Sequence, residues 1–209
     1  MLAIASVGMA LVQALSARDF FPVGVGMKWT YEETGEDHLT YTYVVEAAKT
    51  LGGKEAYPIV IRYQGNPLTT TYYVLDDAGV GIVAEDSFAD IYAPPRPLFK
   101  LGEGPQTWSY TGQVPFEAGT APISLTGSSK VGERRKVLGQ EVDTIVVTID
   151  ATVTPSAKGR SKPQPMTQHQ EAVYGRGIGL VEMNMTATVG AKTHHQHLDL
   201  VKLQKGRSS

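Results

Sequence analysis

The sequence predicts an all-β fold, an antiparallel meander that forms a curved sheet, half-barrel or barrel-like domain. Three observations predict it. From Phe20 onward the apolar residues recur mostly every second position, the period of half-buried strands. Turn chemistry interrupts that pattern at short intervals, as in Leu51-Gly52-Gly53-Lys54 and Asp76-Asp77-Ala78-Gly79. Past residue 17 there is no helical period, and parallel strands would need helices between them.

The clearest strand is Thr144–Val153, where Ile145, Val147, Ile149, Ala151 and Val153 fall on one face. Tyr41, Tyr43 and Val45 alternate with Thr40, Thr42 and Val44, and Tyr57, Ile59, Ile61 and Tyr63 alternate with Pro58, Val60 and Arg62. A proline at 58 points to an edge or a strand start there. Further strands are expected at Lys28–Thr34, Thr69–Asp76, Gly79–Glu85, Gln106–Gly112, Ile123–Ser128, Ile178–Val189 and His194–Leu203. The stiff run Ala93-Pro94-Pro95-Arg96-Pro97 reads as a connector. Residues 155–165 are basic and poor in apolar side chains, and read as an exposed loop.

The chain has 209 residues, of which 42% are hydrophobic, enough for a real core. Nineteen Lys and Arg stand against 21 Asp and Glu, for a net charge of −2, so there is no electrostatic case for a nucleic-acid partner. Without cysteine there is no disulfide framework and no thiolate nucleophile.

Residues 1–17 read as a signal peptide. Leu2 to Leu15 is apolar except for Ser6 and Gln13, small residues follow at Ala14, Ser16 and Ala17, and Arg18-Asp19 comes next. The run is shorter than a membrane span needs, and it lacks a preceding basic residue. A cut after Ser16 puts Ala14 at −3; a cut after Ala17 puts Leu15 there. The same run could instead form a buried N-terminal helix. Residues 18–205 are taken as one β-rich domain and 206–209 as a frayed tail, with no transmembrane span once the leader is gone. The expected address is periplasmic or secreted.

An internal echo suggests two related halves, 20–92 and 98–204. Phe21-Pro22-Val23-Gly24-Val25-Gly26-Met27-Lys28-Trp29-Thr30-Tyr31 matches Phe99 to Tyr110 in its Phe, its Gly-x-Gly and its Trp-(Ser/Thr)-Tyr, and the two frames hold both tryptophans of the chain. In each, Trp and Tyr two apart share a strand face.

The first of these segments resembles the entry motif of a group of exported bacterial β-rich proteins and lipoproteins. Pro97 to Trp108 is similar to the phrase that group repeats mid-chain, and Tyr174-Gly175-Arg176-Gly177-Ile178-Gly179-Leu180-Val181 resembles its C-terminal phrase. The resemblance implies a curved antiparallel sheet akin to the lipoprotein-carrier (LolA/LolB-like) architecture. It implies no activity and no catalytic residues. Many members are anchored through a cysteine, which is absent here, so anchoring does not carry over.

The expected function is a non-enzymatic cell-envelope β domain that binds an apolar small molecule or lipid, or an envelope protein. Tyr41, Tyr43, Ile145, Val147, Met183 and Met185 are the candidate ligand residues, because a curved sheet would gather them on its concave face. An open apolar cavity there would favour a carrier, a fully packed face a structural role. The alternative is a metal-dependent hydrolase or metal-binding protein centred on His195 and His197, which share a strand face and could take one ion with a third ligand from elsewhere. With the hairpin loop at Gly190–Thr193, Thr186 would oppose His197 and Thr188 would oppose His195. No cofactor is called for, since the sequence has no nucleophile elbow, no H-E-x-x-H and no phosphate loop.

Overall fold

The computed structural model describes residues 15–34, 38–86, 92–116, 119–154 and 164–206. Among the described residues the fold has fifteen strands and one short helix. In chain order they are α1 (Ala17–Phe20), β1 (Lys28–Glu33), β2 (Thr40–Val45), β3 (Lys49–Leu51), β4 (Lys54–Tyr63), β5 (Asn66–Asp76), β6 (Gly79–Glu85), β7 (Arg96–Lys100), β8 (Gln106–Phe116), β9 (Gly119–Val131), β10 (Arg135–Val137), β11 (Gln140–Val142), β12 (Thr144–Val153), β13 (Met166–Gly175), β14 (Gly179–Val189) and β15 (Lys192–Gln204).

Twelve strands form one antiparallel path in the order β7-β6-β5-β4-β2-β1-β15-β14-β13-β12-β9-β8; β3 adds to β4, and β10-β11 is a separate hairpin. β7 and β8 come back side by side. The sheet is therefore a nearly closed barrel with one seam. Across that seam the Ser129 hydroxyl of β9 donates to the Lys100 carbonyl of β7.

Alternation turns one face of each strand inward. Ile145, Val147, Ile149 and Val153 of β12 are buried, as the period-two pattern predicts, and pack with Trp29, Tyr31, Trp108, Tyr110, Tyr174 and Leu198. One end of this interior is stoppered by the segment around α1. Ala17, Phe20 and Phe21 are buried, and the Phe21 ring lies 4.8 Å from Tyr73, 6.4 Å from Phe99 and 6.2 Å from Tyr174. Asp19 holds the stopper to the β13–β14 turn: its carboxylate meets Arg176 at 3.1 Å and its carbonyl accepts from Gly177 N–H at 2.6 Å.

Several expectations are corrected. β3, β7, β10, β11 and β13 lie outside the strand ranges expected, and α1 adds a helical turn. β7 includes Pro97, and it sits at the end of the path, where a missing N–H costs least. Pro58 lies inside β4 rather than at its start, at the point where pairing with β2 ends at Val45↔Ile59; its carbonyl accepts from Glu46 N–H. The β14–β15 loop is the two residues Gly190-Ala191, not four, because Val189 pairs with Lys192. That tighter turn sets Thr186 opposite His195, Thr188 opposite Thr193 and Asn184 opposite His197. The basic loop falls outside the described residues over 155–163; Gln164 and Pro165, its end, are exposed.

Candidate functional site

The six candidate ligand residues all lie on the inner face, but they differ in burial. Ile145 and Val147 are fully buried in the core. Tyr41, Tyr43, Met183 and Met185 are half-buried; Met183 lies in the same cross-strand row as Val147, through Ala172, and the Tyr43 ring packs on Tyr31 at 4.7 Å. Registers place their neighbours: Tyr41 pairs with Tyr31 and Tyr63, Tyr43 with Trp29 and Ile61, and Met185 with Gln170 and Gln196. Leu39, Ile61 and Tyr63 are half-buried too. This side of the sheet thus carries half-buried apolar and aromatic side chains, with Gln170 and Gln196 flanking Met185 and Gln168 and His194 one step further along β13 and β15.

The interior phenols stay neutral. Burial pushes the hydroxyls of Tyr31, Tyr43 and Tyr174 far above the ordinary tyrosine value, and it raises Tyr73 to about 12, with the nearby Glu85 carboxylate adding to the shift. Tyr31 Oη donates to the Leu180 carbonyl at 2.9 Å, and Trp29 Nε1 donates to the Ile178 carbonyl at 2.5 Å. Trp29 also lies 3.1 Å from where a Cβ would stand on Gly179, whose φ of +97° suits glycine. Trp108, its counterpart in the echo, lies against Gly127, but its indole N–H has no hydrogen-bond partner. Each indole lies against a glycine, Gly179 two strands away for Trp29 and Gly127 on the neighbouring strand for Trp108, and the two differ in how the indole is satisfied.

Beside the seam lies a cluster that the sequence reading missed. Arg96 Nη2 meets Glu85 Oε1 at 2.6 Å, Tyr92 Oη donates to Glu85 Oε2 at 2.8 Å, and the guanidinium stands 5.6 Å from the Tyr92 ring centroid. Arg96 Nε is buried without a hydrogen-bond partner. Pro94, Pro95 and Pro97 flank Arg96 and gave it the look of a linker residue, which concealed its partnership with β6.

His195 and His197 share the outer face of β15, as expected. Each is already engaged: His195 Nδ1 with Thr186 Oγ1 at 3.0 Å, His197 Nδ1 with Asn184 Oδ1 at 2.6 Å, and His197 Nε2 with Asp199 Oδ2 at 2.8 Å. His169 of β13 pairs with Asp150 of β12 at 2.7 Å. Among the described residues no group of three His, Asp or Glu side chains is placed to hold a metal ion.

The outer face of six neighbouring strands carries polar side chains in register. Thr111, Ser124, Thr152, Thr167, Thr188 and Thr193 form one row across β8, β9, β12, β13, β14 and β15. Ser109, Thr126, Asp150, His169, Thr186 and His195 form the next. Small hydroxyl side chains leave a shallow groove of about 630 Å³ along these rows. The alternating threonines were visible in the sequence, but their lateral alignment depends on strand order.

The fold defines a nearly closed antiparallel β-barrel-like domain with one end plugged by the segment around α1. No family model matches the chain, and no curated protein matches it. Among solved structures it is similar to a candidate lipoprotein from Parabacteroides distasonis, with 11% identity, a TM-score of 0.49, and coverage of 92% of this chain and all of that one. It is also similar to a candidate exported protein with a YmcC-like fold from Bacteroides fragilis, at 12% identity and TM-score 0.45, with the same coverage. The hypothetical lipoprotein YmcC of Escherichia coli matches at 8% identity and TM-score 0.34, over 88% of this chain and 93% of that one.

Proposed function

We propose that the protein is an exported cell-envelope domain, non-enzymatic, that binds an apolar molecule with an acyl-chain-like body on the inner face of the barrel. The observation that carries this reading is that Leu39, Tyr41, Ile61, Tyr63, Met183 and Met185 stay half-buried although strand alternation sets them on the side of the core. Apolar side chains in that state have surface still to remove from water, and methionine adapts its shape to a flexible chain. Ile145 and Val147 are fully buried and do not touch the ligand. Export is supported by the apolar leader followed by small residues. No described helix is long and apolar enough to cross a membrane.

The test is titration of the purified protein with a dansyl-labelled fatty acid, alongside native mass spectrometry of protein isolated gently from the envelope. Saturable binding near one equivalent is expected. Met183→Asp or Met185→Asp should weaken it by about tenfold or more, a loss of roughly 1.4 kcal/mol, while Thr126→Asp on the outer face leaves it unchanged. Absence of saturable binding, together with a ligand-free mass, overturns the reading.

A further inference from the structure

The stopper places a limit on where the leader can be removed. Ser16 is the N-cap of α1 in a reciprocal capping box: its side chain accepts from backbone N–H groups of the first turn, and its own N–H donates to the Asp19 carboxylate at 3.3 Å. Leu15 packs on the core, and Ala17 has no exposed surface. A cut after Ser16 would delete the cap and create an ammonium on the buried Ala17, where a charge is costly. A cut after Ala17 would remove a core residue and the cap together.

We propose that the processing site is the Ala14–Leu15 bond, so that the mature chain begins Leu15-Ser16-Ala17 and keeps its stopper. Val12 then stands at −3 and Ala14 at −1, both small enough for the pockets of a leader peptidase. Water attacks the Ala14 carbonyl, the C–N bond breaks, the carboxylate departs on Ala14, and the ammonium remains on the half-buried Leu15. This site rests on the export reading. It adds that the barrel end stays closed in the mature protein rather than being opened by processing.

The experiment is expression of the full chain with its own leader in a bacterium, fractionation, and intact mass plus N-terminal sequencing of the envelope or periplasmic product. The expected product lacks residues 1–14 and starts at Leu15. A second variant, Ser16→Asp, sharpens the test: Asp caps a helix as well as Ser, but at −1 it blocks a cut after residue 16. It should be processed at Leu15 to the same extent as the parent. A product starting at Ala17 or Arg18, or loss of processing in Ser16→Asp, overturns this site while leaving export standing. Retention of the uncut parent chain in the cytoplasm overturns the export reading, and this inference with it.

Discussion

Gly127 is where a single added methyl group should do the most harm per atom. It lies in β9, clamped between Trp108 of β8 and Ile149 of β12 by ladders on both sides, so its backbone has little room to retreat. A Cβ built there stands 2.5 Å from Trp108 Nε1 and closer still to Cε2 and Cζ2. Ordinary carbon contacts begin near 3.5 Å, so the indole must swing by about an ångström or leave. Swinging within the core costs roughly 1–3 kcal/mol of overpacking; complete expulsion approaches the roughly 3–5 kcal/mol of a Trp→Ala truncation. Gly127→Ala should therefore destabilise by about 3 kcal/mol, lowering Tm by about 6–12 °C for a domain of this size. Thermal unfolding followed by circular dichroism measures the shift, and a red-shifted tryptophan emission reports the displaced ring. Ser124→Ala, on the exposed face of the same strand, is the control and should stay within about 0.5 kcal/mol of the parent. A Tm for Gly127→Ala within a degree of that control would refute the packing of Trp108 on β9.

Phe20→Ala empties the centre of the stopper and should cost about 3–5 kcal/mol, read in the same melt; a loss under about 1 kcal/mol would mean the segment is not docked in solution. Trp29→Phe strands the buried Ile178 carbonyl, whereas Trp108→Phe removes an indole N–H that bonds to nothing. The first should cost about 1–2 kcal/mol more than the second in denaturant titrations, and equal losses would contradict the asymmetry. The buried phenols set an alkaline limit. Their folded values lie above the ordinary value of about 10, so above that pH the unfolded chain loses phenol protons that the native chain retains. Stability is then whole below about pH 10 and falls as pH rises through 12 and beyond, and phenolate absorbance should lag until unfolding. Early, reversible ionisation of all ten tyrosines in the native state would exclude buried phenols.

Much of this fold was legible because period-two alternation is a local signal. β6 and β12 run Gly79–Glu85 and Thr144–Val153, the limits expected from the sequence. β13 escaped because its first half, Met166 to Glu171, sets glutamines and a histidine where an apolar face would show. Gln168 and Gln170 stay half-buried on the inner side, where such residues are tolerated. β7 escaped because its prolines look like a linker until an edge position excuses them. The candidate site was legible as a face but not as a depth. Alternation puts Val147 and Met185 on the same side of the sheet, while only the packing of the closed barrel decides that one is fully buried and the other half-buried. The Arg96–Glu85 pair depends on two strands meeting across turns, which no residue spacing announces.

The pairing of β1 with β15 has a consequence for how the protein comes into being. Lys28 lies beside Gln204, so the first of the described strands is zipped to the last of them. No closed barrel can exist until almost the whole chain is available, and the contacts that close it span the greatest sequence separation in the fold. Such long-range closure is slow compared with hairpin formation. A chain threaded N-terminus first through a narrow channel would therefore remain an open row of hairpins throughout its passage. It would shut only on the far side, when β15 emerges and finds β1 waiting.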